Sequence, residues 1–150
     1  MTILPAAPGD VLAVWTGDGP LQDLIRVGEA LCGKPAVANH VVIITHRDRL
    51  GRWIGIQGQP GGVGPVDCTP FLSDVRTMSN HDEPKPDDRR QLASFLASAA
   101  GHVVCSSLAA MLYDLPSVGW AHPDLHDERQ CQPADWWRWS EARAWAVAVR

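Results

Sequence analysis

The sequence predicts an α+β fold in which an antiparallel β-sheet packs against helices. In the first half of the chain, short apolar runs rich in β-branched residues are separated by glycine-containing turns, which is typical of antiparallel strands. Other segments repeat apolar residues three, four and seven positions apart, which is typical of amphipathic helices. A length of 150 residues, 45% hydrophobic and 20% charged, fits a single domain over residues 1–150 with a core of its own.

The first two elements are a strand and a helix. An apolar run at residues 11–15 lies between a Gly-Asp turn and a second turn at residues 17–20, and this predicts a strand. Apolar residues at helical spacing over residues 21–31 then predict a helix of about three turns. Gly33 stands where helices commonly end.

The next segment predicts a β-hairpin. Residues 41–45 are mostly β-branched, residues 47–51 form a polar turn, and residues 53–57 make the second strand. Because residues 41–45 are apolar on both faces, we expect this strand at the centre of the sheet. A glycine-rich stretch leads to a further short strand or turn at residues 63–66.

The second half of the chain is less regular. Residues 78–90 form its most polar and proline-rich stretch, which predicts a mobile surface loop. An amphipathic pattern over residues 92–99 predicts a helix, and another helix begins near Cys105. We then expect a short helical piece at residues 135–139 and a final strand at residues 143–150, although the alanines there also permit a helix.

Charge and hydropathy limit the partners and the location. A formal net charge of -4 with no basic patch argues against nucleic acid. No run approaches the ~18 consecutive apolar residues of a membrane span, and the N-terminus lacks the features of a signal peptide. The sequence therefore predicts no transmembrane segment and a cytoplasmic protein, or one exported without a recognisable signal peptide. It carries no signal for an oligomeric state.

The spacing of the cysteines bears on metals and disulfides. The chain has four cysteines, which are Cys32, Cys68, Cys105 and Cys131, and none of them forms a C-x-x-C pair. This spacing argues against a structural zinc site and, in a reducing compartment, against disulfides. We expect no metal and no cofactor.

Cys105 stands at the start of a predicted helix. Leu108, Ala109 and Leu112 follow it at helical spacing, so this face of the helix would be buried and the sulfur would lie near the helix N-terminus. A thiol with an ordinary pKa of ~8.5 becomes more acidic beside a helix N-terminus or an imidazolium, as a nucleophile requires. The alternative is that Cys105 is a small apolar residue of the core.

A nucleophilic thiol also needs a base, and His40 is the best placed of the six histidines. It directly precedes the most apolar strand, so a rigid element would hold its ring at the edge of a central strand. Gln57, at the end of the adjacent strand, would hydrogen-bond the ring and fix its tautomer. Alternatively, His40 is a structural histidine and Gln57 is an ordinary polar residue at a strand end.

Five short motifs occur in one order along nearly the whole chain. They are "GDVL", "NHVVIIT", "WIGIQGQPGGVGPVDCTPFL", "VVCSSLAAMLYDLP" and "QPADWW". In this order they resemble the circularly permuted papain-like cysteine hydrolases, relatives of the NlpC-type cell-wall peptidases. The resemblance implies a permuted papain-like fold with the nucleophile at a helix N-terminus. It also implies that Cys105 is the nucleophile and His40 the base, with Gln57 where the family usually has glutamate.

The resemblance implies a cysteine hydrolase that forms an acyl-enzyme on Cys105. Its substrate would be an amide, in a peptide, an isopeptide or a cell-wall peptide, or an acyl ester. The chain departs from the family pattern at three places: Gln57 lacks the charge that would stabilise an imidazolium, Asn39 stands where serine is common, and the Ala109-Ala110 pair stands where Val-Ala is usual. Together with the short chain, Gln57 leaves an alternative, a catalytically weak or inactive papain-like scaffold that serves as a binding or interaction module.

Two of the seven tryptophans are further candidate site residues. We expect Trp53 and Trp120 to line a substrate-binding cleft, and core packing is the alternative for each.

Overall fold

A computed structural model describes residues 3–17, 19–31, 37–59, 62–82, 137 and 146–147. Over these residues the fold is α+β, with an antiparallel sheet and one α-helix. The elements are β1 (Val11–Val14), α1 (Pro20–Leu31), β2 (His40–Arg47), β3 (Trp53–Gln59), β4 (Gly62–Asp67), β5 (Met78–Ser79) and β6 (Ala146–Val147), with a 3-10 turn at Phe71–Ser73.

The described strands form one sheet of six strands in the order β4-β3-β2-β1-β5-β6, and all neighbours are antiparallel. Strand β2 pairs with β1 on one side and with β3 on the other, which confirms the central position predicted from its apolar character. The pairing of β2 with β3 shifts register between Ile44 and His46, near the turn of the hairpin. Towards the other end of β2, its first residue His40 lies opposite Val14 of β1.

The core lies on both faces of β1 and β2. Side chains alternate along a strand, and all four residues of β1 are buried, as are the four that follow His40 in β2. One face carries a hydrophobic cluster, which we call the core cluster. It consists of Leu4, Leu12, Val14, Val42, Ile44, Cys68 and Leu72. Because both faces of these strands are buried, the residues at their ends are held by a rigid part of the molecule.

Helix α1 confirms the helix predicted over residues 21–31, but its burial is the reverse of the usual amphipathic pattern. Leu24 is 68% exposed and Leu31 is 83% exposed, whereas the acidic Glu29 is buried. The helical spacing of the apolar residues therefore predicted the helix, but it did not predict which side faces the protein.

The expectation of a mobile surface loop over residues 78–90 is wrong for its first part. Met78 and Ser79 form β5, which pairs with β1, and Ser79 and Asn80 are buried. The physical reason is a pair of hydrogen bonds in which Asn80 accepts from the backbone N–H of Val11 and donates its own N–H to the carbonyl of Val11. Residues 83–90 lie outside the described residues.

The structure describes little of the rest of the second half. The helices predicted at residues 92–99 and from Cys105 lie outside the described residues. Trp137 is helical and buried, in agreement with the helical piece expected around it. Ala146 and Val147 pair with β5, which confirms part of the final strand.

Within the described part of the chain, no helix combines the length and the apolar character that crossing a lipid bilayer requires.

Candidate functional site

The site that the sequence indicated centres on His40 at the start of β2. Its ring lies on the same face of β2 as Val42 and Ile44, which both belong to the core cluster. Strand β3 runs beside β2, and the Oε1 atom of Gln57 lies 2.7 Å from the Nε2 atom of His40. The hydrogen bond expected between these two side chains is therefore present, between two strands of one sheet.

This hydrogen bond fixes how the neutral His40 ring presents its two nitrogens. An amide oxygen can only accept, so Nε2 carries the proton and donates it to Gln57. The Nδ1 atom then carries the lone pair of the neutral ring. A base needs such a lone pair, because it accepts a proton there during the reaction.

Burial controls the charge of His40. Desolvation lowers the pKa of His40 below its ordinary value of 6.5, and the hydrogen bond with Gln57 opposes this with a smaller effect. The ring is therefore neutral at neutral pH and has a lone pair available. A carboxylate at the position of Gln57 would instead stabilise the imidazolium.

Asn39, directly before His40, ties the start of β2 to the turn that follows β1. Its Oδ1 atom accepts hydrogen bonds from the backbone N–H of Thr16 at 3.0 Å and from the Thr16 hydroxyl at 3.2 Å. Its Nδ2 atom donates to the carbonyl of Gly17 at 3.3 Å. The sequence drew attention to Asn39 only as a departure from serine, because its partners lie more than 20 positions earlier in the chain.

Trp53 lies on the same face of β3 as Gln57 but at the opposite end of the strand. Their separation of four positions corresponds to about 13 Å along an extended strand. Trp53 packs against the core cluster, and the guanidinium of Arg47 lies 5.7 Å from the centre of its ring. Trp120 lies outside the described residues, so the structure describes only one of the two tryptophans expected in the cleft.

Cys105 also lies outside the described residues. The described part of the chain contains one free cysteine, Cys68, which is buried in the core cluster. Burial raises the pKa of the Cys68 thiol to about 12, with a smaller contribution from the neighbouring Asp67. Cys68 is therefore a packing residue and not a nucleophile.

A second polar cluster lies at the start of β1, and the sequence did not reveal it. Asp10 is fully buried, and its Oδ2 atom accepts a hydrogen bond from the backbone N–H of Ala7 and lies 2.7 Å from Nδ1 of His81. Asn80 binds the backbone of Val11 beside it. Asp10 and His81 are 71 positions apart, and no local pattern connects residues at that separation.

Among the residues that the structure describes, no three His, Cys, Asp or Glu side chains come together as metal ligands would. A comparison of the chain with protein-family models, curated proteins and solved structures finds no match.

Proposed function

We propose that the protein is a cysteine hydrolase with a circularly permuted papain-like fold, in which Cys105 is the nucleophile, His40 the base and Gln57 the residue that orients the base. The observation that carries the proposal is the 2.7 Å hydrogen bond between Gln57 and His40, which stands at the start of the buried strand β2. The assignment of Cys105 as the nucleophile rests on the order of the five sequence motifs. The substrate is an amide, in a peptide, an isopeptide or a cell-wall peptide, or an acyl ester.

The proposed reaction follows the chemistry of an activated thiol. The Nδ1 atom of His40 takes the proton of the Cys105 thiol as the sulfur attacks the substrate carbonyl. The imidazolium then gives this proton to the leaving amine or alcohol as the acyl-enzyme forms. Water attacks the acyl-enzyme with His40 as base, which releases the acid and restores the thiol.

A second candidate function is a papain-like scaffold that binds a partner and turns over slowly or not at all. The observation that favours it is the neutral environment of His40, where burial lowers the pKa and Gln57 brings no charge. A thiolate and imidazolium pair forms less readily under these conditions than beside a carboxylate. The two candidates differ in turnover, and both predict the same His40–Gln57 contact.

The test is the alkylation of the native protein by iodoacetamide near neutral pH, read by mass spectrometry of each cysteine. We expect Cys105 to react much faster than Cys32, Cys68 and Cys131, because only its thiol is activated by a base. His40→Ala should remove the difference. His46→Ala is the matched control, since His46 lies in the same strand but is exposed, and it should leave the labelling unchanged.

The same experiment separates the candidates. Uniform and slow labelling of all four cysteines would contradict the role of Cys105 in both. Fast, His40-dependent labelling with turnover of a peptide, muropeptide or acyl ester substrate supports the hydrolase. Fast labelling without turnover across these substrates supports the binding scaffold.

A further inference from the structure

Asn39 is one of the few polar side chains that are buried within the described residues, with an exposed fraction of only 1%. It contacts the end of β1 and the turn that follows. Its backbone N–H donates to the carbonyl of Val14 at 3.1 Å. Its side chain binds Thr16 and Gly17 through both the amide oxygen and the amide nitrogen. A buried amide that uses its donor and its acceptor has one favoured orientation.

The turn that Asn39 holds has an unusual backbone conformation at Gly17. Gly17 has a φ angle of 103°, a conformation that residues with a side chain rarely adopt. Just before it, the guanidinium of Arg76 lies 3.6 Å from the centre of the Trp15 ring. The turn is thus held by Asn39, which directly precedes β2, and by Arg76 from the segment before β5.

His40 follows Asn39 directly and lies opposite Val14 at the end of β1. The backbone of His40 therefore directly follows Asn39, which binds the turn, and lies beside the buried strand β1. The ring reaches Gln57 on the neighbouring strand, and small rotations at the start of β2 would change that distance.

We propose that Asn39 is a positioning residue for His40. By tying the β1–α1 turn to the start of β2, it keeps the His40 ring hydrogen-bonded to Gln57, with the proton on Nε2 and the lone pair on Nδ1. This goes beyond the proposed function, because it assigns to a buried amide the role of fixing the ring. The orientation of the ring is measurable whether or not Cys105 is a nucleophile.

Asn80 provides a matched control. It is also a buried asparagine, and it also binds the backbone of β1, at Val11, but at the end of the strand away from His40. Replacing either asparagine by alanine removes a buried side-chain amide, which is bound to the turn after β1 in the case of Asn39 and to β1 itself in the case of Asn80. The two variants should therefore lose comparable stability, and only Asn39→Ala should affect His40.

The experiment records the ring ¹⁵N and ¹H signals of His40 by NMR as a function of pH in the full chain. In the wild type and in Asn80→Ala we expect one tautomer, with the proton on Nε2, and a pKa below the ordinary value of 6.5. In Asn39→Ala we expect a mixture of tautomers and a His40 pKa closer to 6.5, because the ring loses its hydrogen bond with Gln57 and becomes more exposed to water. If the rate of Cys105 alkylation is followed as well, it should fall roughly tenfold in Asn39→Ala only.

A second variant keeps the test decisive if Asn39→Ala does not fold. In Asn39→Ser the hydroxyl can still accept from Thr16 and donate to Gly17, so the fold and most of the wild-type His40 signals should be retained. An unchanged tautomer and titration of His40 in folded Asn39→Ala, or the same change in Asn80→Ala, would overturn the proposal. If Cys105 is not alkylated faster than the other cysteines in the wild type while the His40 signals are as expected, the proposed function is contradicted and the positioning role of Asn39 is not.

Discussion

His40 and Gln57 show what a neutral partner does for a buried base. The hydrogen bond orients the ring, but its effect on the charge is smaller than that of burial, so the pKa of His40 is lowered. A carboxylate would both orient the ring and hold a positive charge on it. The choice of an amide therefore favours a neutral resting ring that accepts a proton only during the reaction.

The lowered pKa of His40 predicts how stability depends on pH. Above 6.5 the ring is neutral in the folded and the unfolded chain, and the stability is fully present. As the pH falls from 6.5 towards the lower pKa of the folded state, only the unfolded chain takes up the proton, so the free energy of unfolding falls. One proton limits this slope to about 1.4 kcal/mol per pH unit.

The measurement is urea unfolding of the wild type and of His40→Gln from neutral to mildly acidic pH. As the pH is lowered, we expect the midpoint urea concentration to fall less steeply in His40→Gln than in the wild type, because the glutamine side chain does not titrate. His46→Gln is the control, since His46 is exposed at the other end of β2, and it should keep the wild-type slope. Equal slopes in all three proteins would contradict the lowered pKa of His40.

The sequence predicted the central pair of the site but not its supports. His40 and Gln57 could be predicted because each lies at or near the end of a strand whose pattern is strong, and adjacent strands bring such ends together. The contacts of Asn39 and the Asp10–His81 contact could not be predicted from the sequence, because the residues involved are 22 to 71 positions apart. Such contacts depend on the order of strands in the sheet, which local periodicity does not encode.

Among the elements, β3 depends on a glycine where another strand and a buried thiol come close. A Cβ atom added to Gly55 would lie 2.5 Å from Sγ of Cys68 and 2.5 Å from the carbonyl oxygen of Ile43. The second of these atoms belongs to the backbone of β2 and cannot move aside. The close packing of β3 on β2 therefore requires the absence of a side chain at this position.

We expect Gly55→Ala to destabilise the protein by about 1–3 kcal/mol, because the added methyl group overpacks the sheet. Gly28→Ala is the matched control. Gly28 lies within α1, a Cβ there meets no atom within 4 Å, and alanine favours the helix by roughly 0.5–1 kcal/mol. The midpoint temperature of thermal unfolding should therefore fall in Gly55→Ala and rise in Gly28→Ala. A Gly55→Ala variant as stable as the wild type would contradict the close approach of β3 and Cys68.

The elements also differ in how well the sequence defined them. The bounds of the first four strands agree with their patterns to within two residues, because alternating or continuous apolar runs identify strands directly. The sequence predicts a loop where β5 lies, because this strand has only two residues and stands next to a polar stretch. Its strand conformation comes from pairing with β1, a tertiary effect that overrides local composition.

At the scale of the whole molecule, β1 connects distant parts of the chain. It pairs with β2 on one side and with β5 on the other, and Asn39 and Asn80 bind its two ends. At its start the backbone of Asp10 is bonded to Ile44, while its side chain reaches His81. The start of β1 is therefore bonded both to β2 and to the segment that follows β5.

The Asp10–His81 contact predicts a measurable coupling across this distance. A double-mutant cycle with Asp10→Asn, His81→Gln and the double variant should give a coupling free energy of about 1–3 kcal/mol, because Asp10 is fully buried. The control cycle uses Asp48 and Arg52, an ion pair four positions apart in which half of the Arg52 side chain is exposed. Water and salt screen that pair, so its coupling should be clearly smaller and should decrease at high salt. If the two cycles gave the same coupling, the contact between Asp10 and His81 would not hold the start of β1 to the chain beyond β5.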